Sequence, residues 1–294
     1  MQEIISIILA AGKGTRMKSD LVKVLHPLLG VPMLSYPVEL SLNDLKAEKT
    51  ILVVGHQADK IKEKFKDPRI HFVLQEEQLG TGHAVLQALP FLQSFNGTVL
   101  ILCGDVPLVK METLHSFIDT FWRNESNLSV LTAVVENPSG YGRIIRGPTG
   151  WLERIVEEKD GSEEEKLIRE INTGIFCVKA PFLVDGLKEI RQENSQGEYY
   201  LTDLVTLARK EGRACKAVRA AQDDLLGCDS KAGLAEAEAK FQAQRRVRAM
   251  TDGVTLIAPD TVWFIHDTVI ARDVTVEPNV WFGPGVSVAT GATI

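Results

Sequence analysis

The alternation of short β-rich runs with amphipathic stretches over the first hundred residues restricts this chain more than any other feature. Glu3 to Leu9 (EIISIIL), Thr50 to Gly55 (TILVVG), Ile70 to Leu74 (IHFVL) and Thr98 to Asp105 (TVLILCGD) are nearly continuous apolar runs, the pattern of strands buried on both faces. Stretches such as ADKIKEKF and GHAVLQALPFL lie between them with helical spacing. This order predicts βαβ units, an α/β fold with a mixed, mostly parallel sheet, and right-handed crossovers. Ligands in such sheets collect beyond the carboxyl ends of the strands. A glycine-rich segment follows the first run, and Gly104-Asp105 ends the fourth. One cleft is expected to gather both.

Downstream the pattern changes. LSVLTAVV, YGRIIRG, WLERIVEE and INTGIFCV, between Leu128 and Val178, read as strands joined by polar loops, with GSEEEK a solvated turn. Ser195 to Lys210 reads as a loop entering a helix. Lys231 to Met250 is alanine-rich, charged and periodic, which predicts a long connecting helix. Beyond Gly253, Val274, Val280, Val286 and Ala292 recur at every sixth position. That period is the signature of a hexapeptide parallel β-helix, of which about two coils are present. Such stacks need further repeats and a cap, so the chain is expected to be a shortened form of a longer protein. The expected division is 1–230, a helix over 231–250, and the start of the β-helix over 251–294.

The 294 residues are 45% hydrophobic and 24% charged, enough for a sizeable core. A net charge of −6 argues against a broad nucleic-acid or membrane surface. The N-terminal apolar run is short and lacks a preceding basic region, and no stretch approaches the roughly 20 apolar residues of a membrane span. Four scattered cysteines, with no CxxC pair, predict a reduced, cytoplasmic protein.

The segment SIILAAGKGTRMKSDLVKVLHPLLG, Ser6 to Gly30, carries the first chemical signal. Ala10, Ala11, Gly12 and Gly14 let backbone approach a ligand, and N–H groups in such a loop can face phosphate oxygens. Arg16 offers a planar fork and Lys23 a point charge, both suited to polyphosphate. Neither common phosphate fingerprint is present: GxGxxG fails at Met17, and GxxxxGK[ST] is absent. On the residues alone, a nucleoside triphosphate site and a strand-to-helix turn with solvated lysines both remain open.

LAAGKGTRM with Lys23 and His26-Pro27 resembles the signature of sugar-1-phosphate nucleotidyltransferases. QEEQLGTGHA (Gln75 to Ala84), CGDVPL (Cys103 to Leu108), GYGRI (Gly140 to Ile144), EINTGI (Glu170 to Ile175) and QGEYYLTD (Gln196 to Asp203) narrow the resemblance. In this order, ahead of hexapeptide repeats, they resemble the bacterial bifunctional N-acetylglucosamine-1-phosphate uridylyltransferase/glucosamine-1-phosphate acetyltransferase family. The resemblance implies a Rossmann-like nucleotidyltransferase domain followed by a left-handed β-helix. It implies UTP and N-acetylglucosamine 1-phosphate as substrates, Mg²⁺ as cofactor, and a homotrimer for the full-length family. The acetyl-transfer coils are expected to be missing.

The same resemblance distributes roles. Leu9, Ala10, Ala11 and Gly12 would hold the uridine by backbone contacts. Gly14, Thr15 and Arg16 would face the triphosphate, and Lys23 would neutralise phosphate charge. Gln75, Gly80 and Thr81 match the uracil-reading positions. Gly104 adjoins Asp105, the first metal ligand. The second is an asparagine in the family's G-V-N motif, and here the aligned residue is Asp229, a departure that keeps an oxygen ligand and adds charge. Gly142, Glu157 and Asn172 match the positions that hold the N-acetylglucosamine ring, with Glu158 an alternative to Glu157 by one register. Tyr200 and Thr202 resemble further sugar contacts, although Tyr200 suits packing in a helix N-terminal turn equally well. Three rivals stand beside this reading: a related enzyme for another sugar or base, a non-catalytic nucleotide-sugar sensor, and a glycosyltransferase, which would show an acidic DxD where this chain has Gly104-Asp105-Val106-Pro107.

Overall fold

The computed structural model describes residues 3–148, 150–225 and 227–294; Met1 and Gln2 at the start of the expected first domain, and Leu226 beside the Asp229 segment, lie outside them. The apolar runs of the sequence form β1 (Ile4–Ala10), β4 (Lys49–Val54), β5 (Ile70–Leu74) and β6 (Thr98–Cys103), with a small hairpin of β2 (Pro27–Leu28) and β3 (Val31–Pro32) after β1. They are followed by β7 (Leu128–Val134), β8 (Arg143–Arg146), β9 (Leu152–Val156), β10 (Glu170–Lys179) and β11 (Cys215–Arg219). The nine-stranded sheet runs β11-β7-β10-β6-β1-β4-β5, and β8 and β9 extend it from β10. β5, β4, β1 and β6 are parallel, β10 is antiparallel to both its neighbours, and β11 is parallel to β7.

Strand periodicity divides the core into two layers. Ile5, Ile7, Val99 and Ile101 face one cluster; Ile8, Ala10, Leu100 and Leu102 face the other. The first layer is covered by α3 (Thr81–Leu86), α6 (Ala180–Glu189) and α7 (Asp203–Lys210). On the second lie α1 (Ser35–Glu39), α2 (Ala58–Lys64) and α4 (Met111–Arg123), whose Leu114, Phe117, Ile118 and Phe121 are all buried. The GSEEEK segment corrects an expectation: Glu163–Lys166 is a short helix, α5. Ser162 caps it, accepting from Glu165 N (3.2 Å) while Glu165 accepts from Ser162 N (2.9 Å), so a reciprocal capping box turns the charged run helical.

Two local features of β10 matter later. Its register with β7 slips between Asn172 and Phe176, where Gly174 adopts φ 77° and Thr173 donates to Leu131 O at 2.7 Å. At its start, buried Glu170 receives Arg146 (2.6 and 2.8 Å), Arg219 (2.6 Å) and Thr132 (2.8 Å). Burial opposes the charge of Glu170, but these donors outweigh it and hold the carboxyl down at about 2.

The long helix α8 spans Lys231–Thr251, with Ser230 capping it from Gly233 N at 3.1 Å. It crosses back over the β2–β3 hairpin. Leu29, at φ 45°, donates its N–H to Glu238 at 2.9 Å and accepts from His266 N at 2.8 Å. Lys231 Nζ lies 3.1 Å from Nδ1 of buried His26, whose pKa is lowered by burial and by that ammonium, so the neutral ring accepts. Beyond α8, β12 (Thr255–Leu256), β13 (Val269–Ile270), β14 (Thr275–Val276) and β15 (Ser287–Val288) stack as parallel pairs, β12 on β14 and β13 on β15. The partners Trp263 and Trp281, Val269 and Ser287, and Thr275 and Thr293 stand three hexads apart, as the six-residue period requires. Val274 is fully buried, and Val280, Val286 and Ala292 pack against the same small core. Among the described residues, no helix is long and apolar enough to cross a membrane, and all four cysteines are unpaired.

Candidate functional site

Two adjoining cavities open at the carboxyl ends of β1 and β6. The first, of about 290 Å³, is walled by Leu9, Ala10, Ala11, Gly12, Lys23, Gln75, Gly80, Thr81 and Asp105. The second, of about 220 Å³, is walled by Arg16, Gly142, Glu157, Asn172, Thr202 and Asp229. Leu9, Thr81, Cys103 and Asp105 face both. Residues from eight separated segments of the sequence therefore meet where the α/β topology places a ligand. A larger hollow of about 610 Å³ lies at the other strand ends, around Glu3, Thr98 and Lys179, and contains none of these groups.

The first cavity is built largely from main chain and neutral side chains. β1 ends at Ala10, and the chain leaves through Ala11 and Gly12. Gln75 is buried, and its amide lies 3.1 Å from both Gly80 O and His83 Nδ1. Gln78, which sequence reading did not single out, donates to Gln75 O at 3.1 Å and lines the same wall. Gly80 adopts φ 108°, and a Cβ there would stand 2.6 Å from Tyr199 O, so both conformation and space demand glycine.

Charge concentrates at the junction and in the second cavity. Lys23 forms a short ion pair with Asp105. Burial would lower the Lys23 pKa, but the adjacent Asp105 outweighs it and the net shift is upward, so the ammonium stays charged. Arg16 pairs with Asp229 at 2.5 Å. The Asp105 and Asp229 segments also touch through their main chains, Cys228 N donating to Asp105 O at 2.8 Å. Glu157 accepts from Thr202 Oγ1 at 3.2 Å; its pKa is raised by burial, with the Asp160, Asp203 and Glu198 carboxylates adding to the shift. Glu158, the one-register alternative, is instead tied to Arg143 at 2.7 Å and to Gly140 N at 3.1 Å. Asn172 stands on the bulged part of β10 and accepts from Gly174 N at 2.9 Å.

Four expected residues line neither cavity. Gly104 is packed: a Cβ there would stand 2.9 Å from Leu34 Cδ1 and 3.0 Å from Leu9 O. Gly14, at φ 61°, leaves room for Lys23, whose Cβ would stand 2.5 Å from an added Cβ. Thr15 opens the short turn Thr15–Met17 that carries Arg16. Tyr200 is buried, its hydroxyl donating to Asp160 at 3.1 Å and accepting from Gln196 at 2.8 Å. These positions shape the site from behind its walls. Conversely, Gly140, Tyr141, Thr173, Gly174 and Gly227 line the second cavity without having been singled out; GYGRI and EINTGI contained the first four. Cys103 faces both cavities, but burial pushes its thiol up to about 12, far from a reactive thiolate.

No group of three or more His, Cys, Asp or Glu side chains that could hold a metal occurs among the described residues. Two carboxylates from separate segments on one cavity wall are nevertheless a donor set that suits Mg²⁺, which retains waters and takes few protein oxygens. A family model described as nucleotidyl transferase matches residues 5–225. The chain belongs to the nucleotidyl transferase family. It is 50% identical to a protein named "Bifunctional protein GlmU" from Geobacter metallireducens, over 100% of this chain and 62% of that protein. It is 47% identical to the protein of the same name from Geobacter sulfurreducens (100% and 62%) and 42% identical to that from Shouchella clausii (96% and 62%). The chain thus spans just over three fifths of the length of these relatives, and the family match covers both cavities up to Leu225.

Proposed function

We propose that the chain transfers UMP from UTP to N-acetylglucosamine 1-phosphate, forming UDP-N-acetylglucosamine and pyrophosphate. A phosphate oxygen of the sugar phosphate attacks the α-phosphorus of UTP, and the bond from that phosphorus to the β-phosphate bridging oxygen breaks. Two anions must meet, so the barrier is largely electrostatic and no side-chain nucleophile is required. The observation that carries the reading is the pair of adjoining cavities that share Asp105, with Lys23 in the first and Arg16 in the second, each paired with a carboxylate.

In this reading the first cavity takes the uridine, with Gln75 and the Gly80 main chain facing the base, and the second takes the sugar, with Glu157, Asn172 and Gly142 around the ring. Lys23 and Arg16 draw the phosphates together. Each rests on a carboxylate in the ligand-free chain, so neither charge stands unpaired before substrate arrives. With triphosphate present both cations turn to phosphate oxygens, leaving Asp105 and Asp229 as anionic oxygen ligands. A Mg²⁺ ion held by those two carboxylates would supply further neutralisation of the phosphate charge. The test is pyrophosphate release on mixing the chain with UTP, N-acetylglucosamine 1-phosphate and Mg²⁺. No release, or far better turnover of glucose 1-phosphate than of its N-acetylated 2-amino counterpart, would overturn the assignment.

A further inference from the structure

We propose that the segment from Asn194 to Thr202 is a strap that couples the two cavities, and that Asp160 is the positioning residue that fixes it. The proposal rests on the assignment of the cavities to base and sugar made above.

One edge of the strap is built into the base side. Tyr199 N donates to Leu79 O at 2.8 Å, Gly82 N donates to Tyr199 O at 2.8 Å, and Leu201 N donates to Thr81 Oγ1 at 3.1 Å. The fit leaves no slack, since a Cβ at Gly82 would stand 3.0 Å from Tyr199 O and one at Gly80 closer still. The other edge is tied to the sugar side. One oxygen of Asp160 accepts from Ser195 N at 2.9 Å and the other from the Tyr200 hydroxyl at 3.1 Å, while Thr202 donates to Glu157 three positions before Asp160.

Between these anchors the segment is stiff. The Asn194 side chain accepts from Gln196 N and Glu198 N and donates to Glu198 O at 2.6 Å, and Gln196 donates to the Tyr200 hydroxyl. A rigid piece of chain bonded along both edges moves as one body, so a displacement at one cavity is carried to the wall of the other. Asp160 lines neither cavity. It acts through Ser195 and Tyr200. Burial opposes its charge, but these donors outweigh burial and keep the carboxyl below the usual range, so it is a full-time acceptor.

The test uses Asp160→Asn and Tyr200→Phe in the whole chain. Without ligand, Asp160→Asn is expected to speed amide hydrogen exchange at Gly82, Tyr199 and Leu201 about tenfold or more, the loss of one charge-assisted bond, while β4 amides are unchanged. In turnover assays its preference for UTP over CTP, as a ratio of kcat/KM, should fall about tenfold, although Asp160 stands on the sugar side. A merely structural role would lower both nucleotides equally. Tyr200→Phe removes a single O–H, keeps the packing, and should move both readouts in the same direction by less; it decides the matter if Asp160→Asn fails to fold. Unchanged exchange at Gly82, or equal losses with UTP and CTP, would overturn the proposal. A parent chain that turns over neither nucleotide would defeat the proposed function instead, and the exchange readout would still decide the strap.

Discussion

The two cavities share Asp105 and Cys103 but differ in how the rest of their walls is held. Away from Lys23, Asp105 and Glu198, the first cavity is lined by apolar and small residues and by the Gln75 and Gln78 amides, held in one arrangement by hydrogen bonds that need no ligand. The second cavity carries Arg16 paired with Asp229, and at the junction the shared Asp105 pairs with Lys23 of the first cavity, so in the free chain these charges satisfy one another. A wall of fixed dipoles selects by shape and hydrogen-bond pattern. A set of paired ions selects by exchanging partners, and so it must move when substrate binds. In the proposed reading, base recognition would rest on the stiffer wall and phosphate handling on the exchangeable ion pairs.

That contrast gives an order of expected effects. Replacing Asp105 by Ala removes an expected metal ligand and strands the Lys23 ammonium; pyrophosphate release should fall at least about a thousandfold with the fold retained by circular dichroism. Activity near that of the parent would break the distinction at its charged end. Lys23→Ala should cost about 2–4 kcal/mol in kcat/KM, as for one preorganised electrostatic group. On the stiff side, Gly80→Ala should act first on the fold: the added Cβ meets Tyr199 O and the φ is unsuited to alanine, so about 2 kcal/mol of stability should be lost in denaturant titration. If Gly80→Ala instead left stability intact and slowed chemistry alone, the first cavity would be no more rigid than its neighbour.

Glu170 provides a reference outside both cavities. Its folded pKa is depressed from 4.5 to about 2, so its stabilisation is present in full above the unfolded value and is lost as pH falls from about 4.5 towards 2. Glu170→Gln should lose about 2 kcal/mol at pH 7, discounted for the exposed Arg219, and should flatten the acid limb of the stability curve over that window. The smallest effect is expected at Glu157. Its pKa is raised, so it protonates at higher pH than an ordinary glutamate, and KM for the sugar phosphate should rise severalfold on acidification. Glu157→Gln should remove that pH dependence while leaving KM for UTP in place.

Much of this arrangement was legible in order but not in contact. β1, β4, β5 and β6 could be read because each is an uninterrupted apolar run, and the packing of Val274, Val280, Val286 and Ala292 on one small core because they recur at every sixth position. The cavity-lining role of Leu9, Gln75, Asp105 and Asn172 was legible only through several motifs occurring in one order. Gly104 and Gly14 were legible as glycines but not as packing glycines, because what excludes a Cβ is Leu34 in one case and Lys23 in the other, each distant in sequence. Tyr200 could not be placed from sequence because its partner, Asp160, stands 40 positions away and meets it only in the folded chain. Charge alone marks GSEEEK as solvated; what makes it helical is the capping box formed by Ser162 and Glu165, a signal of spacing within that charged run.

The crossing of α8 over the β2–β3 hairpin sets a practical limit on how the molecule can be divided. The turn after Lys23 contains Leu29 in a left-handed conformation that a branched residue does not adopt unaided, and its N–H and carbonyl are claimed by Glu238 and His266. A fragment ending at residue 230 would keep every strand of the nine-stranded sheet yet leave both of those groups, and the ring of His26, without their partners. The hairpin beside the nine-stranded sheet therefore draws its hydrogen-bond partners from α8 and from the segment that follows it, and a cut at residue 230 would be expected to lower its stability.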